Sequence, residues 1–285
     1  MVFVSNPYPQ QPLGAPPTCY RHPDRQTWVH CTRCQRPICP ECMRQAPVGH
    51  QCVGCVDAAA RSVRQPVTAF GGRPVERPLV TYVLIAINVI AFVLQKVSDD
   101  VYRQFVLWPI GIAYDDQFYR LITSAFLHVG VTHILFNMVA LYFTGPALEA
   151  ALGHVRFIGV YALSAIGGSV LVYLLSPIEA ATLGASGAIF GLFGASLVLA
   201  RKLDFDMRPI IVLIVINLVI TFVVPGISWQ GHIGGLVTGA VVAWAYGYAP
   251  RANRNVVQAG VTIALLAVFV GLIWWRTAAL LAIYA

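Results

Sequence analysis

Seven apolar segments, near 79–97, 130–152, 155–176, 184–201, 209–225, 229–249 and 257–276, follow one another along the chain. Each is close to the roughly 20 residues that carry a helix across a bilayer. Lipid admits only structures that satisfy their own backbone hydrogen bonds, so such segments can become little else than packed helices. The expected fold is an all-α polytopic membrane protein: six helices over 79–249 and one further transmembrane helix in 250–285, preceded by a small domain. Only 11% of the 285 residues are charged and 58% are hydrophobic. Ordinary soluble domains carry about 25% charge, and this chain has too little to solvate its own surface.

The basic residues give the orientation. The formal net charge of +7 divides into +5 over residues 1–78, from nine Arg and four acids, and +2 over the rest. An Arg-rich flank beside an apolar body follows the positive-inside rule and does not imply a nucleic-acid partner. With seven spans drawn, Arg61, Arg64, Arg73, Arg77, Arg156, Arg201, Lys202, Arg208, Arg251 and Arg254 share one side. Arg103, Arg120 and Arg276 lie on the other, with Lys96 at its border. The N-terminus is therefore expected in the cytosol and the C-terminus outside, in the plasma membrane. The start, Met1-Val2-Phe3-Val4 running into a Pro-rich leader over 1–18, lacks the basic and apolar regions of a secretory signal. The loop 98–129, with Val101, Tyr102, Phe105, Val106, Leu107 and Trp108, suits the outer interface.

All seven cysteines fall within 19–55, as Cys19-x2-His22, Cys31-x2-Cys34, Cys39-x2-Cys42 and Cys52-x2-Cys55. Eight ligands in four pairs match two tetrahedral zinc sites, and a two-residue gap lets both members of a pair reach one metal. Disulfides would need an oxidising compartment and would leave an odd thiol. The pattern resembles the cross-braced B-box zinc finger through its first three pairs. That resemblance implies that pairs one and three share one zinc, and pairs two and four the other. B-boxes usually end in His, so His50 competes with Cys52 and Cys55, which are preferred here; His30 reads as a surface residue. A domain this small depends on its metal for folding, and closed ligand sets leave no position for catalytic water. A cytosolic protein is a possible partner of this module, and 56–78 reads as a linker.

Polar groups inside a span are costly and mark candidate functional sites. His128, His133 and Asn137 lie at the start of the second span, Gly184, Ser186 and Gly187 at the start of the fourth, and Gly231, His232 and Gly235 at the start of the sixth. In the seven-span drawing every even-numbered span starts at the outer face, so these groups share one depth. Gly187 and Gly191 form a small-residue stripe on the fourth span, and Gly231, Gly235 and Gly239 another on the sixth. Such stripes let helices approach closely. Their contact would bring Ser186 to His232, and a serine beside a histidine is an activated nucleophile. Taken singly, each residue has a plain reading: serine bonding its own helix, histidine packed and satisfied.

Residues 79–249 resemble the rhomboid intramembrane serine proteases, through Arg120, His128, His133 with Asn137, Gly184 to Gly187 with Gly191, and Gly231 to Gly235. The resemblance implies a rhomboid six-helix core with Ser186 as nucleophile and His232 as general base and later general acid. It assigns oxyanion stabilisation to the Asn137 amide, the His133 ring and the Ser186 backbone N–H. Those N–H groups at a helix start suit developing negative charge. No carboxylate is in sight to orient His232, which makes a dyad. Supporting roles fall to His128, Phe190, Gly184, Gly187 and Arg120. The chain departs from the family at Tyr119, where Trp is frequent, and at Phe190, where Tyr is frequent. Glu149, at the inner end of the second span, reads as structural.

The function expected is hydrolysis of peptide bonds in or near single transmembrane helices in the lipid bilayer, with no cofactor for catalysis and two structural zinc ions. One alternative is a non-catalytic rhomboid-like binder of client helices. Another is a metal- or haem-binding membrane protein using His128, His133, His154 and His232, although His154 falls at the opposite end. No His-Glu-x-x-His occurs.

Overall fold

The computed structural model describes residues 14–62 and 66–284, in two compact units divided after Gln65. Most of the Pro-rich leader, residues 1–13, and Arg64 lie outside the described residues.

In the first unit a 3-10 turn over Pro40–Cys42 leads into β1 (Met43–Gln45), which pairs antiparallel with β2 (His50–Cys52), Met43 opposite Cys52. Helix α1 (Val53–Ser62) follows directly, so the first part of the expected linker is helical. The buried cluster consists of Cys19, Cys31, Ile38, Cys39, Cys42 and Cys52. One aliphatic side chain among five thiols is too little apolar area to hold about fifty residues folded.

The second unit is built from helices α2 (Leu79–Val97), α3 (Asp99–Phe105), α4 (Pro109–Tyr114), α5 (Arg120–Thr123), α6 (Val131–Leu152), α7 (His154–Leu175), α8 (Ser186–Lys202), α9 (Arg208–Val223), α10 (Trp229–Tyr248) and α11 (Arg254–Tyr284). This is the all-α polytopic fold of an integral membrane protein. The seven expected spans are all helices, but only α2, α6, α7 and α11 are both long and apolar enough to cross a membrane by that measure alone. The other three fall short for identifiable reasons. Helix α8 has only 17 residues, and α10 carries Gly, Gln, His and Thr along its length, where it packs against protein. Helix α9 has 16 residues; Pro209 pre-sets its first turn and Pro225 stops it.

Helices α7, α8 and α10 form the centre. Phe157, Tyr161, Phe190, Leu192, Phe193, Val242 and Tyr246 are buried together there. Glycine permits this proximity. A Cβ added at Gly235 would overlap the carbonyl oxygen of Gly187, and one at Gly239 that of Gly191. In lipid, where apolar surface gains little by association, such backbone approach supplies the packing energy.

Helix α2 is the opposite kind of element. Its buried residues are Thr81, Asn88 and Gln95, polar residues seven apart and so on one face, while its apolar side chains point outward. Thr81 meets the fully buried Glu149, whose two oxygens accept the N–H groups of Val80 (2.9 Å) and Thr81 (2.8 Å) and the Thr81 hydroxyl (2.6 Å). A carboxylate from the end of α6 thus caps the otherwise unsatisfied start of α2. His154 Nδ1 lies 2.6 Å from the same group. Helix α11 runs well beyond the expected 257–276. It is tied to the centre through Tyr173 and Thr277 (2.8 Å) and through Tyr246 and Thr262 (2.7 Å).

Candidate active site

Ser186 is the first residue of α8, and Ala185 before it provides no side-chain cap. The N–H groups of that first turn are therefore left to donate elsewhere. His232 is the fourth residue of α10, whose own start is capped by Ser228, accepting from the Gly231 N–H at 3.2 Å. Close α8–α10 contact sets His232 Nε2 2.7 Å from Ser186 Oγ. Phe190, one turn after Ser186, stacks on the imidazole with centroids 4.1 Å apart and planes 14° off parallel. The departure from Tyr to Phe at this position keeps the stacked ring and omits its hydroxyl. The other imidazole nitrogen, His232 Nδ1, lies 2.6 Å from the hydroxyl of Thr221 on α9. Sequence reasoning did not identify Thr221. Its signal is faint, a threonine one turn after Asn217 in a largely apolar helix.

His133 approaches from α6. A Cβ added at Gly184 would fall 2.8 Å from His133 Cε1 and 3.0 Å from Nε2, and Gly184 has a φ of +135°. Glycine is needed there for both space and backbone conformation. The Val129 N–H donates to His133 Nδ1 at 3.3 Å, so a neutral ring carries its proton on Nε2, the atom beside Gly184. Asn137, buried one turn further along α6, donates through its amide to the His133 carbonyl at 3.1 Å. His128 is completely enclosed, with its ring 5.0 Å from that of His133. Gln95 brackets its peptide, donating to its carbonyl and accepting from its N–H at 2.9 Å.

Arg120 serves the loop. It donates to the carbonyls of Arg103 and Val106, both at 2.8 Å, and to Gln117. Leu107, next to Val106, pairs with Thr182 through two backbone hydrogen bonds, and the Gly184 N–H donates to the Ser124 carbonyl at 2.9 Å. The strand-like entry to Ser186 is thereby pinned to loop 98–129. His154 sits with Glu149, apart from the Ser186 group, which leaves the four-histidine haem arrangement without support.

In the first unit the ligand pairs converge crosswise. Cys19, His22, Cys39 and Cys42 form one set, and Cys31, Cys34, Cys52 and Cys55 the other, with the ligand atoms of each within 4.8 Å of one another. Both sets could hold a metal ion. His22 Nδ1 lies 3.3 Å from Cys39 Sγ and 3.5 Å from Cys42 Sγ, and Cys34 Sγ 3.7 Å from Cys52 Sγ. Bond lengths of about 2.0–2.3 Å give a zinc tetrahedron edges of roughly 3.5–3.8 Å. His50 is outside both sets, and His30 bonds the Trp28 carbonyl. The thiols compete for ionisation. Burial opposes it at Cys19, yet backbone N–H groups of Arg21 and Cys39 hold that thiol down to about 6. Cys55 is pushed up to about 12 by the neighbouring thiols of Cys52 and Cys34. The three thiols of one set, or the four of the other, cannot all be anionic without a cation between them.

The fold and this geometry define a polytopic membrane protein with a serine and a histidine in contact among its central helices. The rhomboid domain model matches residues 115–249. The chain is 35% identical over 209 residues to the rhomboid protease GluP of Bacillus subtilis (strain 168), covering 70% of this chain and 41% of that protein. It is 37% identical over 175 residues to the rhomboid protein YdcA of the same organism, covering 59% of this chain and 87% of that one. It is 34% identical over 157 residues to RHOMBOID-like protein 1 of Arabidopsis thaliana, covering 50% and 40%. The chain belongs to the rhomboid family, a family of intramembrane proteases that also has non-catalytic members.

Proposed function

We propose that this chain is an active intramembrane serine endopeptidase that cleaves single-span membrane proteins by a Ser186–His232 dyad. The observation that carries the reading is the 2.7 Å contact of Ser186 Oγ with His232 Nε2 beneath the Phe190 ring. Ser186 attacks the scissile carbonyl while His232 takes its proton; the same histidine then protonates the leaving amine, and water repeats the sequence to release the acyl group. The oxyanion is met by the Ser186 backbone N–H at the uncapped start of α8, the His133 Nε2–H and the second amide hydrogen of Asn137. His128 and Arg120 support this site through the loop, and Gly184 and Gly187 make room for it. Peptide bonds within a stable helix are shielded, so the substrate helix unwinds locally near the outer face before attack.

The Arg-rich N-terminal side lies in the cytosol and the C-terminus outside, in the plasma membrane. The two tetrads hold structural zinc, which supplies folding energy to the module and no chemistry to the protease; the module presents a contact surface to a cytosolic protein. The test is cleavage of a single-span substrate by purified protein in liposomes. Wild type cuts, and Ser186→Ala and His232→Ala abolish cutting while remaining folded. Cleavage that survives Ser186→Ala overturns the mechanism, and a wild type inert toward several substrates points to a client-binding protein.

A further inference from the structure

We infer that Thr221 of α9 is a positioning residue that fixes the proton of His232 on Nδ1, leaving Nε2 free to deprotonate Ser186. This rests on the proposed dyad. The Thr221 hydroxyl has a single proton to give. That hydroxyl lies 2.7 Å from the Asn217 carbonyl and 2.6 Å from His232 Nδ1. A carbonyl oxygen can only accept, so the hydroxyl donates to Asn217 and has only lone pairs to offer the ring. His232 Nδ1 must then be the donor, and a neutral imidazole with its proton there has a bare Nε2. That atom faces Ser186 Oγ at 2.7 Å, so the serine hydroxyl donates to it. Were Thr221 to donate to Nδ1 instead, its oxygen and the Asn217 carbonyl would face each other as two acceptors.

The surroundings support a dedicated role. Thr221 is 3% exposed, and it and Ile214 are the buried residues of α9. The only polar side chain that α9 buries is therefore the one at the ring. A hydroxyl that can accept while its proton is committed elsewhere does for the tautomer what a carboxylate does in a triad, but without a negative charge. When Ser186 transfers its proton to Nε2, the imidazolium keeps its Nδ1–H on Thr221, and no further proton moves.

Two arms test this on the full chain in detergent or liposomes. In the first, 15N spectra of histidine-labelled wild type, assigned by the signal lost in His232→Gln, show His232 with a bare Nε2. Thr221→Val gives a mixture of tautomers. In the second, Thr221→Val lowers kcat roughly tenfold at similar KM, about the loss of one hydrogen bond that matters in the transition state. Thr221→Ser, which keeps the hydroxyl, restores most of it. A wild-type spectrum with Nδ1 bare overturns the inference, as does Thr221→Val with an unchanged kcat. The wild-type spectrum needs no cleavage, so it decides the point even if the dyad reading fails for want of activity.

Discussion

Residues 14–62 bury five cysteines and one isoleucine as their core, whereas the helical unit buries Phe157, Leu192, Phe193, Val242 and their neighbours around a backbone contact between glycines. In the first unit five of the eight candidate ligands are themselves the core, and little else would hold them in place. In the second the candidate site groups are few, and a scaffold about 170 residues larger sets their spacing. The difference teaches that one kind of precision is placed locally, by ligand pairs three residues apart, and the other globally, by how closely two helices pack.

The largest test of this contrast is metal removal. Structural zinc contributes about 10–16 kcal/mol of apparent binding energy in small domains. Chelation is expected to abolish amide-exchange protection over residues 14–62 and leave the protection of α7, α8 and α10 intact. Cys31→Ser should lower the metal content from two ions per chain to one. A module that keeps its protection without metal would break the comparison from the first side. The second side is probed by Gly239→Val. Its Cβ would collide with the Gly191 carbonyl, backbone against backbone, so the expected cost is about 3 kcal/mol or more in thermal unfolding. Gly260→Ala on α11, with open space around it, should stay within about 1 kcal/mol of wild type. Equal effects would mean that glycine contact is not what organises the bundle. A loss smaller than that at Gly239 sharpens the picture: Glu149→Gln leaves α2 with a weaker, neutral cap, and about 2 kcal/mol is expected.

Legibility in the sequence follows the same division. The two Cys/His clusters could be read because paired residues at fixed spacing carry their own geometry, and Cys52 and Cys55, not His50, complete the second of them. Ser186 and His232 were legible because small-residue stripes announce which helices touch. Thr221 was not, since nothing in α9 says which of its faces meets α10 or that a hydroxyl would stand where a carboxylate was sought. The Thr81–Asn88–Gln95 stripe was legible in principle, as three polar residues at sevenfold spacing, yet an apolar average hides it. Glu149 reads as structural from its place, but its partner at the start of α2 is 68 residues away in the chain and emerges only in the fold.

The most direct test of the central claim asks whether Ser186 is a nucleophile made reactive by His232. Purified full-length protein is exposed to a fluorophosphonate, and its peptides are mapped by mass spectrometry. The account predicts one covalent adduct, on Ser186, absent in Ser186→Ala and strongly reduced in His232→Ala. Labelling that falls on another serine, or that is undiminished in His232→Ala, would contradict it.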